Sequence, residues 1–242
     1  MQRSTKILFF FLGLFVLMSC GGGNKFTKSP VDEIIRDLPT DEVFSLILND
    51  MDVQGNFFET YFHQYRLIRG DGEDIREVTT DWKEVSKEEF QRHVNNMGME
   101  IAARDSTGQL SKTASPPGYN NYVGNPRYGY WNNSGGSSFW AFYGQYAFLS
   151  SMFRMGSYPV SRGYYNDWRG NYRGSRPYYG PSSGGTSYYG TNSTYNRSSN
   201  PNSSWSRNTS SFKNRVASRT SRSSSSRSSS GSFRSRGGGS GK

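Results

Sequence analysis

The thiol and imidazole groups of this sequence, which serve as nucleophile, base or zinc ligand, are those of the single cysteine, Cys20, and of the two histidines, His63 and His93. Nucleophilic catalysis needs an activated thiol or hydroxyl beside a base, and a zinc site needs several Cys or His ligands at short spacings. The histidines lie far apart in the sequence, with no second thiol and no His-Glu-x-x-His sequence near either. The pattern indicates structural roles, with His63 in a strand among aromatic residues and His93 on a helix.

Acidic residues cluster in the first half of the chain, where they could attract Ca²⁺. Their spacing does not match a calcium-binding loop, so a solvated acidic face is the better interpretation. The sequence also lacks a Gly-x-Ser-x-Gly elbow and a phosphate-binding P-loop. It therefore predicts no enzyme, no cofactor and no metal site. The acidic residues considered are Asp50, Asp52, Asp71, Glu73 and Asp74.

The context of Cys20 indicates a different chemistry for its thiol. Residues Leu17–Cys20 follow two basic residues, Arg3 and Lys6, and an apolar run over Ile7–Met18. A positive start, an apolar stretch and a small residue at the cleavage point form the layout of a secretory signal. The alternative is a transmembrane helix. Spanning a bilayer takes about 20 apolar residues, whereas the run Ile7–Met18 is shorter and Gly21–Gly23 follow soon after it.

Leu17, Ser19 and Cys20 match the cleavage box of bacterial lipoproteins, and the chain resembles that class. The resemblance implies that residues 1–19 are a signal peptide, that cleavage precedes Cys20, and that Cys20 is acylated and binds the membrane. In enteric-type sorting an Asp after the cysteine retains a lipoprotein at the inner membrane. Gly21 stands there, so the outer membrane is the expected destination. Residues 20–29 are expected to form a flexible tether.

A second resemblance comes from the aromatic sequence after residue 113. Pro116-Pro117-Gly118-Tyr119 and Phe142-Tyr143-Gly144, followed by a Tyr/Gly/Arg/Ser-rich end, are similar to uncharacterised lipoproteins of Bacteroidota. This resemblance brings no known activity, and Cys20 is the one residue to which any role is carried over.

Charge and composition divide the chain near residue 112. Residues 1–30 carry a net charge of +4, residues 31–112 carry −9 and residues 113–242 carry +15, which sum to the net +10. Tyrosine is concentrated after residue 113. Leu, Ile and Val are rare there, and after Leu149 they occur only as Val160 and Val216. A segment this poor in aliphatic residues is expected to lack a conventional core.

These features predict an α+β fold: a small acidic domain over 30–112, with a hairpin-based antiparallel sheet and one or two helices. An aromatic Gly/Asn-rich segment follows over 113–160, and a disordered basic tail covers 161–242. The first helix is expected to begin at Pro30, which suits the first helical position, and to stop near Leu38 before Pro39.

Runs rich in aliphatic and aromatic residues predict the strands of the sheet. Two β-type runs, 42–53 and 57–68, are separated by Gln54-Gly55-Asn56 and predict a hairpin. Further strands are expected over 75–80 and 99–103. Between them, Ser86 and Glu89 form a capping box for a helix that ends before Gly98. Its buried face is predicted to comprise Phe90, Val94 and Met97.

The most apolar part of the second half is the segment 139–153. As a helix it would span about 22 Å at 1.5 Å per residue, too short to cross a bilayer core of about 30 Å. Three alternatives remain open: it packs on the small domain, lies in a membrane interface, or self-associates.

The basic, aromatic second half suggests the partners. Positive charge with interleaved aromatic residues is typical of nucleic-acid binding, but nucleic acid is not expected for an exported protein. A non-enzymatic envelope protein that binds an anionic envelope polymer, or that self-associates through Arg–Tyr contacts, is the first hypothesis. The second is a regulatory or accessory subunit of a membrane complex that docks through the acidic domain.

Overall fold

The computed structural model describes residues 28–55, 58–183 and 185–225. The helices are α1 Pro30–Asp37, α2 Lys87–His93, α3 Phe148–Met152, α4 Arg162–Asn171, α5 Thr194–Ser199, α6 Ser204–Arg207 and α7 Ser210–Ser225. The strands are β1 Phe44–Gln54, β2 Thr60–Arg69, β3 Arg76–Thr79, β4 Lys83–Val85, β5 Glu100–Arg104, β6 Leu110–Ser111, β7 Gly129–Ser134, β8 Ser137–Phe142, β9 Ser182–Ser183 and β10 Thr186–Ser187.

The main sheet has six antiparallel strands in the order β3-β2-β1-β5-β6, with β4 also paired to β2. Its centre is the predicted hairpin of β1 and β2, whose register runs from Phe44 opposite Arg69 to Gln54 opposite Thr60. Strands β7 and β8 form a second hairpin, and β9 and β10 a short third one. The predicted α+β class with a hairpin-based antiparallel sheet is confirmed.

Local sequence signals explain the two helices of the first half. Pro30 occupies the first turn of α1, and the chain becomes extended at Leu38, as predicted. The hydroxyl oxygen of Ser86 caps α2 by accepting a hydrogen bond from the backbone N–H of Glu89 at 3.1 Å. The carboxylate of Glu89, expected to return to the start of the helix, instead accepts hydrogen bonds from Ser29 and Arg92.

Strand β1 is buried on both faces of the sheet. Phe44, Leu46 and Leu48 belong to one hydrophobic cluster, whereas the intervening Ile47 belongs to another. Successive side chains of a strand point to opposite faces, so the sheet has a core on each side.

The first core is largely aliphatic and lies under helices. Phe90 and Met97 are buried in it and Val94 packs against it, as predicted, but α2 already ends at His93, so Met97 lies beyond the helix. Two residues from the far end of the chain, Trp205 on α6 and Val216 on α7, complete this cluster.

The second core lies on the other face and is built from aromatic side chains of the chain after residue 118. Tyr119 and Trp168 meet edge to face with ring centroids 5.4 Å apart, and Tyr122 and Tyr128 are 5.1 Å apart. Ile47 and Ile68 of the sheet pack against this group. A smaller third cluster includes Met99, Tyr189 and Tyr195.

The predicted disorder of 161–242 was therefore wrong over 161–183 and 185–216, which contribute buried residues to all three clusters. The physical reason is that tyrosine and tryptophan rings supply the buried apolar surface that aliphatic residues usually supply. The prediction for residues 226–242 lies outside the described residues.

The chain also does not leave the fold at Pro116-Pro117-Gly118, where the folded part was expected to end. The backbone N–H of Gly118 lies 3.3 Å from the carboxylate of Glu100. For the segment 139–153, the structure favours the first alternative, since Trp140, Leu149 and Phe153 are buried in the second core. Across the described ranges, no helix combines the length and the hydropathy that crossing a bilayer requires.

Candidate functional site

The two histidines, separated in the sequence, meet in the first core. His63 on β2 is fully buried, and its ring centroid lies 6.1 Å from that of His93 at the end of α2. Nδ1 of His63 is 3.1 Å from the hydroxyl of Tyr65, and Nδ1 of His93 is 3.1 Å from the amide nitrogen of Asn96. As predicted, His63 lies among aromatic rings, 5.4 Å from that of Phe90.

Glu89 holds this polar cluster to the start of the described chain. Its carboxylate lies 3.5 Å from Nε2 of His93, 2.7 Å from the guanidinium of Arg92 and 3.1 Å from the hydroxyl of Ser29. Burial alone would raise the pKa of Glu89, but the hydrogen bond and charge of His93 and the charge of Arg92 outweigh it and lower the pKa to about 2.

His63 is held neutral by its surroundings. Burial lowers its pKa to about 3, and the charge of His93 acts in the same direction. Within the ranges that the structure describes, no three His, Cys, Asp or Glu side chains are gathered where a metal ion could bind. An enclosed neutral imidazole among aromatic rings is a structural element of the core.

The acidic residues singled out from the sequence are not gathered into one site. Asp50 is buried, not solvated, and its carboxylate accepts hydrogen bonds from the backbone N–H groups of Ser204 and Trp205 at 2.6 and 3.3 Å. Burial raises its pKa in spite of these bonds. Asp71 lies elsewhere, at the edge of a cleft.

This cleft, of about 320 Å³, lies where the second half of the chain covers the end of the sheet. We call it the arginine cleft. Among its lining residues are three arginines and three asparagines from the second half and two carboxylates from the first: Arg127, Arg169, Arg173, Asn120, Asn121, Asn125, Asp71 and Asp105.

One wall of the arginine cleft is an ion pair between Asp71 and Arg127, whose atoms are 2.5 Å apart. Asp71 also accepts a hydrogen bond from the Tyr128 hydroxyl. Burial would raise the pKa of Asp71, but the bonds from Tyr128 and Arg127 and the charge of Arg127 lower it. Asp71 is therefore an ionised partner that fixes Arg127.

Another part of the cleft lining is carried by α4 and the turn that follows it. Arg173 lies 3.3 Å from the carboxylate of Asp105 and stacks over the ring of Trp168 at 5.7 Å. Arg169 is exposed and forms no ion pair with any carboxylate of the described chain. Burial raises the pKa of Tyr165, and the charges of Arg169 and Arg173 oppose that rise. The guanidinium groups of Arg169 and Arg173 therefore both lie near the phenol of Tyr165 and favour its ionised form.

The buried carboxylate of Glu100 fixes part of the lining of the arginine cleft. Glu100 accepts hydrogen bonds from Nδ2 of Asn120 at 2.6 Å, from the hydroxyl of Ser115 at 3.3 Å and from the backbone of Gly118. Burial raises the pKa of Glu100, which is enclosed completely. The position of Asn120 in the cleft wall is thus fixed by the core.

A second depression adjoins the arginine cleft. It shares Asp105, Asn120, Arg169 and Arg173 with the cleft, and it continues to Lys112. The two depressions together form an elongated polar surface with Arg169 and Arg173 at its middle.

Reasoning from sequence missed this site. The Trp168-Arg169-Gly170 and Tyr172-Arg173-Gly174 repeats were interpreted as low-complexity tail, and no sequence signal paired Arg127 with Asp71 or Arg173 with Asp105. Cys20, the one residue assigned a role from the sequence, lies outside the described residues.

The fold and site define an antiparallel α+β protein with a second, aromatic core and a polar arginine-lined cleft. A scan against protein-family models and searches of the curated proteins and of the solved structures each found no match to this chain.

Proposed function

We propose that this chain is a non-enzymatic, lipid-anchored protein of the cell envelope that binds an anionic envelope polymer through the arginine cleft. The observation that carries the proposal is the convergence of Arg127, Arg169 and Arg173 on one cleft. Guanidinium groups bind phosphate and carboxylate oxygens through paired hydrogen bonds.

The anchor is Cys20, on the strength of the cleavage box at Leu17–Cys20. Acyl chains contribute about 0.8 kcal/mol per buried methylene, so two or more chains give stable anchoring. The outer membrane is the proposed destination because Gly21 follows the cysteine.

Polymer binding is favoured over self-association because several arginine–aromatic contacts are already made within the chain. Arg176 stacks on Tyr172 at 4.2 Å, and Arg162 lies over Trp131 at 5.9 Å. For Arg176 and Arg162, a contact with another copy would have to replace these internal contacts.

Part of the basic charge is balanced inside the protein. Asp71 and Asp105, from the acidic half, pair with Arg127 and Arg173, whereas Arg169 has no such partner in the described chain. The carboxylates of the acidic half thus lower the net positive charge of the cleft. We expect a polymer to bind there with an affinity that depends on salt.

The test is binding of the full-length, acylated protein in detergent micelles to lipopolysaccharide, with its phosphates intact or removed. Affinity is expected to fall with salt, with a log–log slope of about −0.7 to −0.9 for each phosphate contact, by analogy with nucleic acids. The triple variant Arg127→Gln, Arg169→Gln, Arg173→Gln should weaken binding at least about tenfold. The matched control neutralises Arg197, Arg207 and Arg215.

Equal losses in the two triple variants would show that overall charge, and not the cleft, binds the polymer. Salt-independent binding would contradict the proposal. Crosslinking of intact envelopes that yields one defined protein, with no polymer adduct, would instead support the accessory-subunit hypothesis.

A further inference from the structure

A depression at the C-terminal end of α3 has the composition of a second binding site. It has a volume of about 490 Å³ and shares no lining residue with the arginine cleft. We call it the serine pocket. No carboxylate is among the described residues that line it, so its charge is that of one arginine. Besides Ala147 and Gly156, the lining comprises Ser150, Ser151, Arg154, Ser157, Tyr158, Ser198 and Ser199.

The guanidinium of Arg154 is available to a ligand. Arg154 is exposed and forms no ion pair with any carboxylate of the described chain. Burial raises the pKa of Tyr195 to about 12, and the charges of Arg66 and Arg154 oppose this rise. Tyr195 lies on α5, which also supplies two serines of the lining, and its hydroxyl donates to the carbonyl oxygen of Phe153 at 2.9 Å. The charge of Arg154 therefore acts beside the α5 side of the pocket.

The backbone at Arg154 indicates that this side chain is retained for a purpose other than stability. The N–H of Arg154 donates to the carbonyl oxygen of Ser151 at 3.0 Å, and that of Met155 to the carbonyl oxygen of Ser150 at 2.8 Å. These two bonds form a Schellman motif, and its left-handed position is usually glycine because a Cβ is strained there. Arg154 takes that position with φ +53°, as the one non-glycine residue of the described chain with positive φ. Glycine would relieve the strain but would leave the pocket without its charge.

We propose that the serine pocket binds the oxyanion group of a ligand, with the guanidinium of Arg154 as the charged donor. Guanidinium groups form short, charge-assisted hydrogen bonds to phosphate, sulfate and carboxylate oxygens. Ser150 is half-buried and Ser157 is exposed, so their hydroxyls can add neutral donors. The site is separate from the arginine cleft, and the inference does not rest on the proposed function.

Residue-specific protection of the full-length, acylated protein in detergent micelles tests the inference. Phenylglyoxal modifies accessible guanidinium groups, and peptide mass spectrometry gives the rate at each arginine. Phosphate, sulfate and acetate are compared with chloride at constant ionic strength. Near saturation, at least one oxyanion is expected to slow modification of Arg154 by about fivefold or more, since only the unoccupied site reacts. Arg207, exposed on α6, is the internal reference and should react at an unchanged rate.

Two serine variants test whether the pocket, and not the arginine alone, holds the anion. Ser150→Ala combined with Ser157→Ala should raise the oxyanion concentration needed to protect Arg154 by about threefold to tenfold, the loss of neutral hydrogen bonds. The matched control is Ser134→Ala with Ser137→Ala, which removes two exposed hydroxyls from the β7–β8 hairpin. Without added oxyanion, Arg154→Gly should melt at a higher temperature than the unmodified protein, because it relieves the left-handed strain.

The outcomes are distinguishable from those at the arginine cleft, because Arg169 and Arg173 are followed in the same digests. Protection by acetate alone, or by phosphate and sulfate alone, supports the site and identifies the oxyanion it takes. Equal rates at Arg154 in oxyanion and chloride, or equal protection in the two serine variants, would overturn the inference. A lower melting temperature for Arg154→Gly would show that Arg154 serves the helix end, which would also overturn it.

Discussion

Three buried carboxylates near the sheet, Asp50, Glu89 and Glu100, each hold a distant segment of chain. Asp50 binds the start of α6, Glu89 binds Ser29, and Glu100 binds Asn120. Among the buried bases, His63 is fully buried, and its Nε2 has no hydrogen-bond partner within the described chain. These groups make the fold sensitive to pH at known positions.

His63 is predicted to make the protein less stable in mild acid. Its pKa is about 3 in the folded protein and 6.5 when unfolded, so only the unfolded chain binds a proton between these values. The free energy of unfolding should therefore fall as pH decreases below about 6, by up to about 1.4 kcal/mol per pH unit. Replacing His63 with Phe should remove this loss, measured by urea unfolding between pH 7 and 4.5.

The contribution of Glu89 to the free energy of unfolding is lost at a lower pH than the range from pH 7 to 4.5 in which His63 acts. Its pKa is about 2 in the folded protein, against 4.5 when unfolded, so its stabilisation is present above about pH 4.5 and is lost as pH falls towards 2.

The matched control for the His63→Phe variant is Tyr65→Phe, because it removes the hydroxyl beside His63 but keeps the imidazole. An unchanged pH slope in His63→Phe would contradict the assignment.

At the scale of elements, the first half of the chain was predictable because each signal is local. Pro30 marked the start of α1 and Ser86 the cap of α2. Two runs of β-type residues separated by Gln54-Gly55-Asn56 marked β1 and β2. The partner of the Glu89 carboxylate was not predictable, because Ser29 reaches it through the tertiary fold. The same holds for Asp50, whose partners lie more than 150 residues later in the chain.

The elements of the second half were missed for a different reason. Tyr119, Tyr165 and Trp168 carry a polar atom or stand beside Arg and Gly, so hydropathy and complexity both indicated an unfolded tail. Their rings nevertheless pack edge to face or tilted at 5.4 to 5.6 Å and bury the face of the sheet that Ile47 occupies. The arginine cleft depends on this arrangement, so it could not be predicted either.

The short helix α6 is predicted to matter for the stability of the whole sheet. Trp205 is 3% exposed and meets Phe90 of α2 with ring centroids 5.5 Å apart. Trp205→Ala should lower the free energy of unfolding by about 3–5 kcal/mol, the usual cost of removing a large buried ring. Trp82→Ala is the control, since Trp82 is 40% exposed; equal small effects in chemical unfolding would show that α6 does not pack as described.

At the scale of the whole molecule, the sheet is covered on both faces by chain that follows residue 113. Tyr119 to Tyr178 supply one cover, and Trp205 with Val216 complete the other, to which α1 and α2 also contribute. The acidic first half and the basic second half are further joined by the Asp71–Arg127 and Asp105–Arg173 pairs.

Limited proteolysis should reflect this arrangement. Under native conditions trypsin is expected to leave a resistant fragment that includes Trp168 and Val216, because buried segments resist cleavage in proportion to the cost of opening them. Mass spectrometry of the fragments decides the matter. A stable fragment that ends near residue 112 would show that the first half folds alone and that the second half is a loose tail.

The anchor decides where the cleft can act, and it is tested by Cys20→Ala. Without the thiol, acylation cannot occur, so the chain should either remain uncleaved or be released from membranes. Met18→Ala is the control, because it leaves the cysteine and the residues that match the cleavage box in place. Fractionation and intact mass of the mature protein measure both effects. If Cys20→Ala protein is cut at the same bond and stays on membranes without lipid, membrane association comes from another surface and the lipoprotein assignment is wrong.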